Sequence, residues 1–177
     1  VITPPVGFVI DGPEHGSRAS TGILDDLLAR VIVLESKGTR VVLVSLDLWG
    51  LSPALSTAIK AAAGEAAGVA STSVWLTATG NATSPPLWRD EPEYAAYSAF
   101  LPDQIRGAVT AAVGSLEPAS MGSKGTLLPD VSTFTEGPGR PGNAALFVMA
   151  IDRADGSGIA RVLNFACPAS ILGSSTE

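Results

Sequence analysis

The stretch Ala29–Leu48, "ARVIVLESKGTRVVLVSLDL", decides the fold. Two runs rich in Val, Ile and Leu flank Lys37-Gly38, and apolar runs joined by a two-residue turn ending in glycine predict a β-hairpin. The second run is nearly continuously apolar from Val41 to Leu46. A strand of that kind is expected to be covered on both faces, and so to sit at the centre of a sheet.

Downstream of the hairpin, Ser52-Pro53 supplies an N-cap followed by proline at the first helical position. The alanine-rich "ALSTAIKAAAGEAAG" continues at helical spacing until Gly68, with Gly64 as a soft point. "STSVWLTAT" (71–79) is the next strand. Its order after a strand and a helix predicts a right-handed crossover between parallel strands. A second helix is expected from about Pro92 to Leu116, with Tyr94, Tyr97, Leu101, Ile105, Ala108, Val109 and Val113 on one stripe. Pro102 should kink or split it.

After Pro118 come "ASMGSKGTLL", a Pro- and Gly-rich loop over 129–143, and two strands, "ALFVMAIDR" and "IARVLNFAC", joined by the Asp-Gly turn "ADGSG". Upstream, residues 1–22 read as an extended arm wrapping the domain, because their prolines and glycines are incompatible with a helix interior. The fold class expected is α/β: one domain, a mixed central β-sheet flanked by helices.

Composition narrows the function. The chain has 177 residues, a net charge of −6 and 46% hydrophobic residues. An acidic chain without clustered Lys or Arg is a poor match to a nucleic-acid backbone. Its apolar stretches are broken well short of the roughly 20 residues a membrane helix needs. The single Cys167 excludes an internal disulfide and a zinc cluster built on cysteines. The start at Val1 fits removal of a secretion signal and a fragment of a longer chain equally, and an extracytoplasmic location is the expectation.

Phosphate-binding, dinucleotide-binding, nucleophile-elbow and zinc-finger motifs are all absent from the sequence. The one histidine, His15, lies in the Gly-rich "DGPEHGSR", where such a residue is more often solvated than catalytic. Asp47 ends the apolar strand, a usual position for a functional carboxylate in an α/β sheet. It reads equally well as a hydrogen-bond acceptor for the neighbouring turn. Beyond the third strand, "LTATGNATSPP" (76–86) is a loop in a functional position with no His, Cys, Asp or Glu. Asn81-Ala82-Thr83 within it also matches a glycosylation sequon. Burial tendencies place Trp49, Trp75 and Trp88 in the core, whereas exposure of any of them would mark an interface or an apolar ligand site.

The ordered series "ITPPVG", "GILDDLLARVIVLE", "TRVVLVSLDLWGLS", "LTATGNATSPP" and "NFACPASILG" resembles the N-terminal region of the neutral/alkaline, non-lysosomal ceramidases, over almost the whole chain. That family hydrolyses the amide of ceramide with zinc held by histidines, and the resemblance implies the same scaffold here. The family's histidine positions fall on Leu24, Gly80, Ala82 and Pro168, none of which offers a side-chain ligand. A Glu and a Tyr that complete the family's site would lie beyond Glu177. The resemblance therefore implies a ceramidase-like domain that has lost zinc hydrolysis, with no cofactor, acting as a binding or assembly module for a small apolar or lipid-like ligand or another protein chain. The alternative is an active hydrolase of amide or ester bonds. It would use Asp47, Asn81, Thr83, Ser84 and Ser170, or residues from a downstream segment or partner chain.

Overall fold

The structure, a computed structural model, describes residues 1–12, 16–128 and 144–166. His15, Cys167, Pro168 and Ser170 lie outside them. Among the described residues, two α-helices and eight strands in three small sheets make up a mixed α/β fold. The described residues fall into two compact units, 1–116 and 117–166.

In the first unit, β1 (Val9–Gly12) and β2 (Gly16–Ala19) form an antiparallel pair. Within the arm expected to be extended, the chain thus pairs with itself in a small antiparallel ladder. Ahead of it, Ile2 is buried at 1% exposure and its N–H donates to Leu27 O at 2.8 Å. The central hairpin forms as expected, with β3 (Ala29–Ser36) antiparallel to β4 (Thr39–Leu46). Lys37 and Gly38 both take positive φ, 49° and 77°, which is the backbone that lets a two-residue turn follow the strand twist.

Helix α1 (Pro53–Ala67) then carries the chain to β5 (Val74–Ala78), which pairs parallel to β4. Both helix ends follow from the sequence. Ser52 Oγ accepts the Leu55 N–H at 3.3 Å, satisfying one of the orphan donors of the first turn. Gly68 takes φ 68° and donates to Glu65 O, while the Val69 N–H returns to Gly64 O. Gly64 is more constrained than its sequence suggests. A Cβ there would lie 2.8 Å from Val69 O, so glycine is needed for the chain to fold back under the helix end.

Strand order β3-β4-β5 puts β4 in the centre, as its composition required. Its burial is nevertheless one-sided. Val42, Val44 and Leu46 are 0–1% exposed, while Val41, Leu43 and Ser45 on the reverse face are half-buried. On that reverse face Trp75 of β5 stands opposite Leu43 with 67% of its surface exposed. The inner face packs on α1 through Leu55, Ile59 and Ala63, and the same core takes in α2 (Ala95–Gly114) through Leu101, Ile105 and Val109. Each buried aliphatic side chain contributes about 1.5–3 kcal/mol.

Helix α2 runs through Pro102 as one element. Pro102 cannot donate to the turn before it, yet the fully buried Leu101 and Ile105 on either side hold both halves on the same core. Of the expected stripe, Tyr94, Tyr97, Leu101, Ile105 and Val109 are buried, and Ala108 and Val113 are half-buried.

The second unit is an antiparallel meander of β6 (Ser120–Leu127), β7 (Ala145–Asp152) and β8 (Gly158–Phe165). The single central sheet expected from the sequence is therefore corrected. β4 is flanked by β3 and β5, β7 is flanked by β6 and β8, and each group closes as its own three-stranded sheet. The Asp155-Gly156 turn forms as expected: Gly156 has φ 83°, and Asp155 Oδ1 accepts both the N–H and the hydroxyl of Ser157. β6 escapes the sequence because its glycines and serines show no apolar alternation. What makes it a strand is its pairing with β7, where the Phe147 ring lies over Gly125.

Candidate functional site

The parallel strands β4 and β5 end side by side, and the segments that leave them, 47–52 and 79–91, are knitted together. Thr79 N–H donates to Leu46 O at 2.9 Å, Gly80 N–H to Leu48 O at 3.0 Å, and Ser52 N–H to Leu87 O at 2.7 Å. In an α/β sheet this is the end at which ligands bind.

Within the second segment, Asn81 Oδ1 accepts the Thr83 N–H at 3.0 Å and the Thr83 hydroxyl at 2.8 Å. A side chain that accepts from the backbone two residues on mimics a backbone turn. Ser84 is fully buried; its hydroxyl donates to Asn81 O at 2.8 Å and accepts the Trp49 N–H at 2.9 Å. Pro85, Pro86 and Leu87 follow, also buried. The segment is thus a packed turn whose polar groups face one another.

Gly80 takes φ 77°, a left-handed conformation that costs an L-residue roughly 1–2 kcal/mol. Ala82, the next position of interest, sits inside the Asn81–Thr83 turn. Leu24 is 77% exposed, in the segment before β3.

Asp47 lies at the end of β4 and is directed at β3. Its carboxylate accepts the Leu28 N–H at 3.1 Å and the Arg30 guanidinium at 2.9 Å. Of the five residues proposed to react, the structure therefore joins Asn81, Thr83 and Ser84 in one turn. It engages Asp47 separately on the β3 side, while Ser170 falls outside the described residues.

The tryptophans refine the sequence reading. Trp49 and Trp88 are half-buried and meet edge to face at 6.3 Å, with the Arg89 guanidinium 5.7 Å from the Trp88 ring centre. Trp75 departs from core burial altogether, standing on the open sheet face. The contrast is one of position in the fold: Trp75 alternates with the inward Val74 and Leu76, whereas Trp49 and Trp88 belong to the two joined segments.

No cluster of three or more His, Cys, Asp or Glu side chains arranged to hold a metal occurs among the described residues. A shallow hollow of about 260 Å³ opens between Ile2, Ala29 and the Asp103–Ala108 part of α2. None of its lining residues belongs to the joined segments.

The class these features define is a small mixed α/β scaffold with a closed, hydrogen-bonded turn at the C-terminal ends of its parallel strands. No protein-family model matches the chain, and neither a curated protein nor a solved structure matches it.

Proposed function

We propose that the protein is a binding or assembly module on a ceramidase-like scaffold, without zinc hydrolysis. The observation that carries this reading is Gly80. The resemblance gives Gly80 and Ala82 to two histidines of which one ligates zinc, and here Gly80 is a left-handed turn with φ 77°, whose N–H is bonded to Leu48 O. The groups that would have to replace the metal chemistry are bonded to one another: Ser84 lies buried between Asn81 O and Trp49 N. A hydroxyl nucleophile needs an adjacent base, and the partners of the Thr83 and Ser84 hydroxyls are Asn81 Oδ1, Asn81 O and the Trp49 N–H, none of which is a base.

The occupant best supported is another protein chain. Trp75, 67% exposed, stands beside Leu43 on one face of the sheet, and an exposed aromatic of this kind suits a protein contact.

The test is hydrolysis of an N-acyl amide and of an activated ester by the purified protein, with and without added zinc. The expected result is no turnover above the uncatalysed rate. Turnover that disappears in Asn81→Ala or Asp47→Asn would establish a hydrolase and remove this reading.

A further inference from the structure

We propose that the seat of residues 2–4, between the start of β3 and α2, is a peptide-recognition groove, filled in cis by the chain's own Ile2-Thr3-Pro4 and open to an extended peptide of the same pattern from another chain. The inference goes beyond the reading above, since no residue of the Gly80–Ser84 turn takes part.

The segment is held by backbone and side chain together. The Ile2 N–H donates to Leu27 O at 2.8 Å and the Tyr97 hydroxyl donates to Ile2 O, so both backbone groups of Ile2 are engaged. The Thr3 hydroxyl donates to Asp26 Oδ1 at 2.6 Å and accepts the Leu27 N–H at 2.9 Å. Ile2, at 1% exposure, is the apolar anchor, and Pro4 is buried after it. Peptide grooves combine affinity and selectivity in this way, with main-chain bonds to an extended segment and seats for particular side chains. Packing alone would ask only for shape at position 3. A hydroxyl used both as donor to a carboxylate and as acceptor from an N–H selects threonine over valine.

The segment is joined to the rest of the unit by an exposed link. Pro5, Val6 and Gly7 are exposed, in a turn closed by the Phe8 N–H on Pro5 O at 3.2 Å with Gly7 at φ 91°. Beyond it the Phe8 ring lies 5.7 Å from Tyr94 and 5.3 Å from Tyr97, which anchors the β1–β2 pair independently of residues 2–4. The strap also leaves its seat partly unfilled, because the hollow of about 260 Å³ borders Ile2, Ala29 and α2. The ligand pattern is aliphatic, hydroxyl, proline. Proline holds such a peptide extended before it binds, which lowers the cost of ordering it, and the uncharged stretch "VITPPVG" meets no repulsion from a chain of net charge −6.

Proton–nitrogen correlation spectroscopy tests this on the full chain carrying Ile2→Ser with Thr3→Val, which loosens the strap, titrated with the blocked peptide acetyl-VITPPVG-amide. The expected result is saturable movement of the Leu27 amide signal, because that N–H gains the peptide's threonine hydroxyl. Binding should weaken about tenfold or more when the peptide carries valine in place of threonine, and by a similar factor in the unaltered protein, whose seat is already filled. Circular dichroism matching the unaltered protein establishes that the variant is folded, and Ile2→Ser alone serves where the double variant is not. A folded variant whose Leu27 signal stays fixed up to millimolar peptide overturns the proposal, as does equal binding of the valine peptide. So does failure of both variants to fold, since the seat would then not exist apart from its strap. None of these outcomes touches the reading of the Gly80–Ser84 turn, and zinc binding or turnover there would leave the groove standing.

Discussion

The Ser84 hydroxyl accepts the Trp49 N–H at 2.9 Å, joining the segment after β5 to the segment after β4 at the end of the sheet where a ligand would be expected. A fully buried hydroxyl with both a donor and an acceptor partner acts as a structural bolt. Ser84→Ala leaves the Trp49 N–H and one lone pair of Asn81 O without that partner, and an unsatisfied buried donor costs about 1–3 kcal/mol. Urea unfolding followed by tryptophan fluorescence should show a loss of that size. An unchanged midpoint would mean the hydroxyl is not part of the packing.

Gly64→Ala separates local propensity from packing. In an exposed helix the change would stabilise by about 1 kcal/mol. Here the new Cβ meets backbone, 2.8 Å from Val69 O and 3.3 Å from Ser71 N, so the turn out of α1 must shift. Overpacking of this kind costs typically 1–3 kcal/mol, and a net loss of about 1 kcal/mol or more is expected in thermal unfolding. A more stable variant would show that the turn relaxes freely.

Tyr97 gives the stability a dependence on alkaline pH. Burial pushes its phenol well above the ordinary value, and its hydroxyl donates to Ile2 O, holding the N-terminal residues on α2. With the folded-state pKa above the unfolded value of about 10, the folded chain keeps a proton that the unfolded chain loses. The associated stability is therefore whole below about pH 10 and falls as pH rises toward the folded pKa. Tyr97→Phe should be less stable at neutral pH by about 1 kcal/mol and show a shallower decline above pH 10. Parallel declines in both proteins would assign the effect to other groups.

Much of the first unit is legible in the sequence, because its determinants are local. Lys37-Gly38 sets the hairpin, and Ser52, Pro53 and Gly68 mark the ends of α1. The apolar run Val41–Leu46 puts β4 between β3 and β5. What could not be read depends on tertiary pairing. β6 becomes a strand by lying against β7, Pro102 is tolerated because Leu101 and Ile105 are anchored, and the strands divide into separate sheets ordered β3-β4-β5 and β6-β7-β8. At the candidate site the sequence identified the positions Asp47, Asn81, Thr83 and Ser84. It could not show that Arg30 engages Asp47 or that Ser84 is turned inward to Trp49. The exposure of Trp75 was equally hidden, since an apolar strand looks the same whether one face or two are covered.

The central claim is that the turn from Gly80 to Ser84 serves as scaffold in place of a metal site. It is tested most directly by loading the purified protein with excess zinc, removing free metal by gel filtration, and measuring zinc per chain by elemental analysis. A catalytic site needs about three protein ligands and holds close to one equivalent. The account predicts a residue of zinc well below about a tenth of an equivalent. Retention of close to one zinc per chain would contradict it.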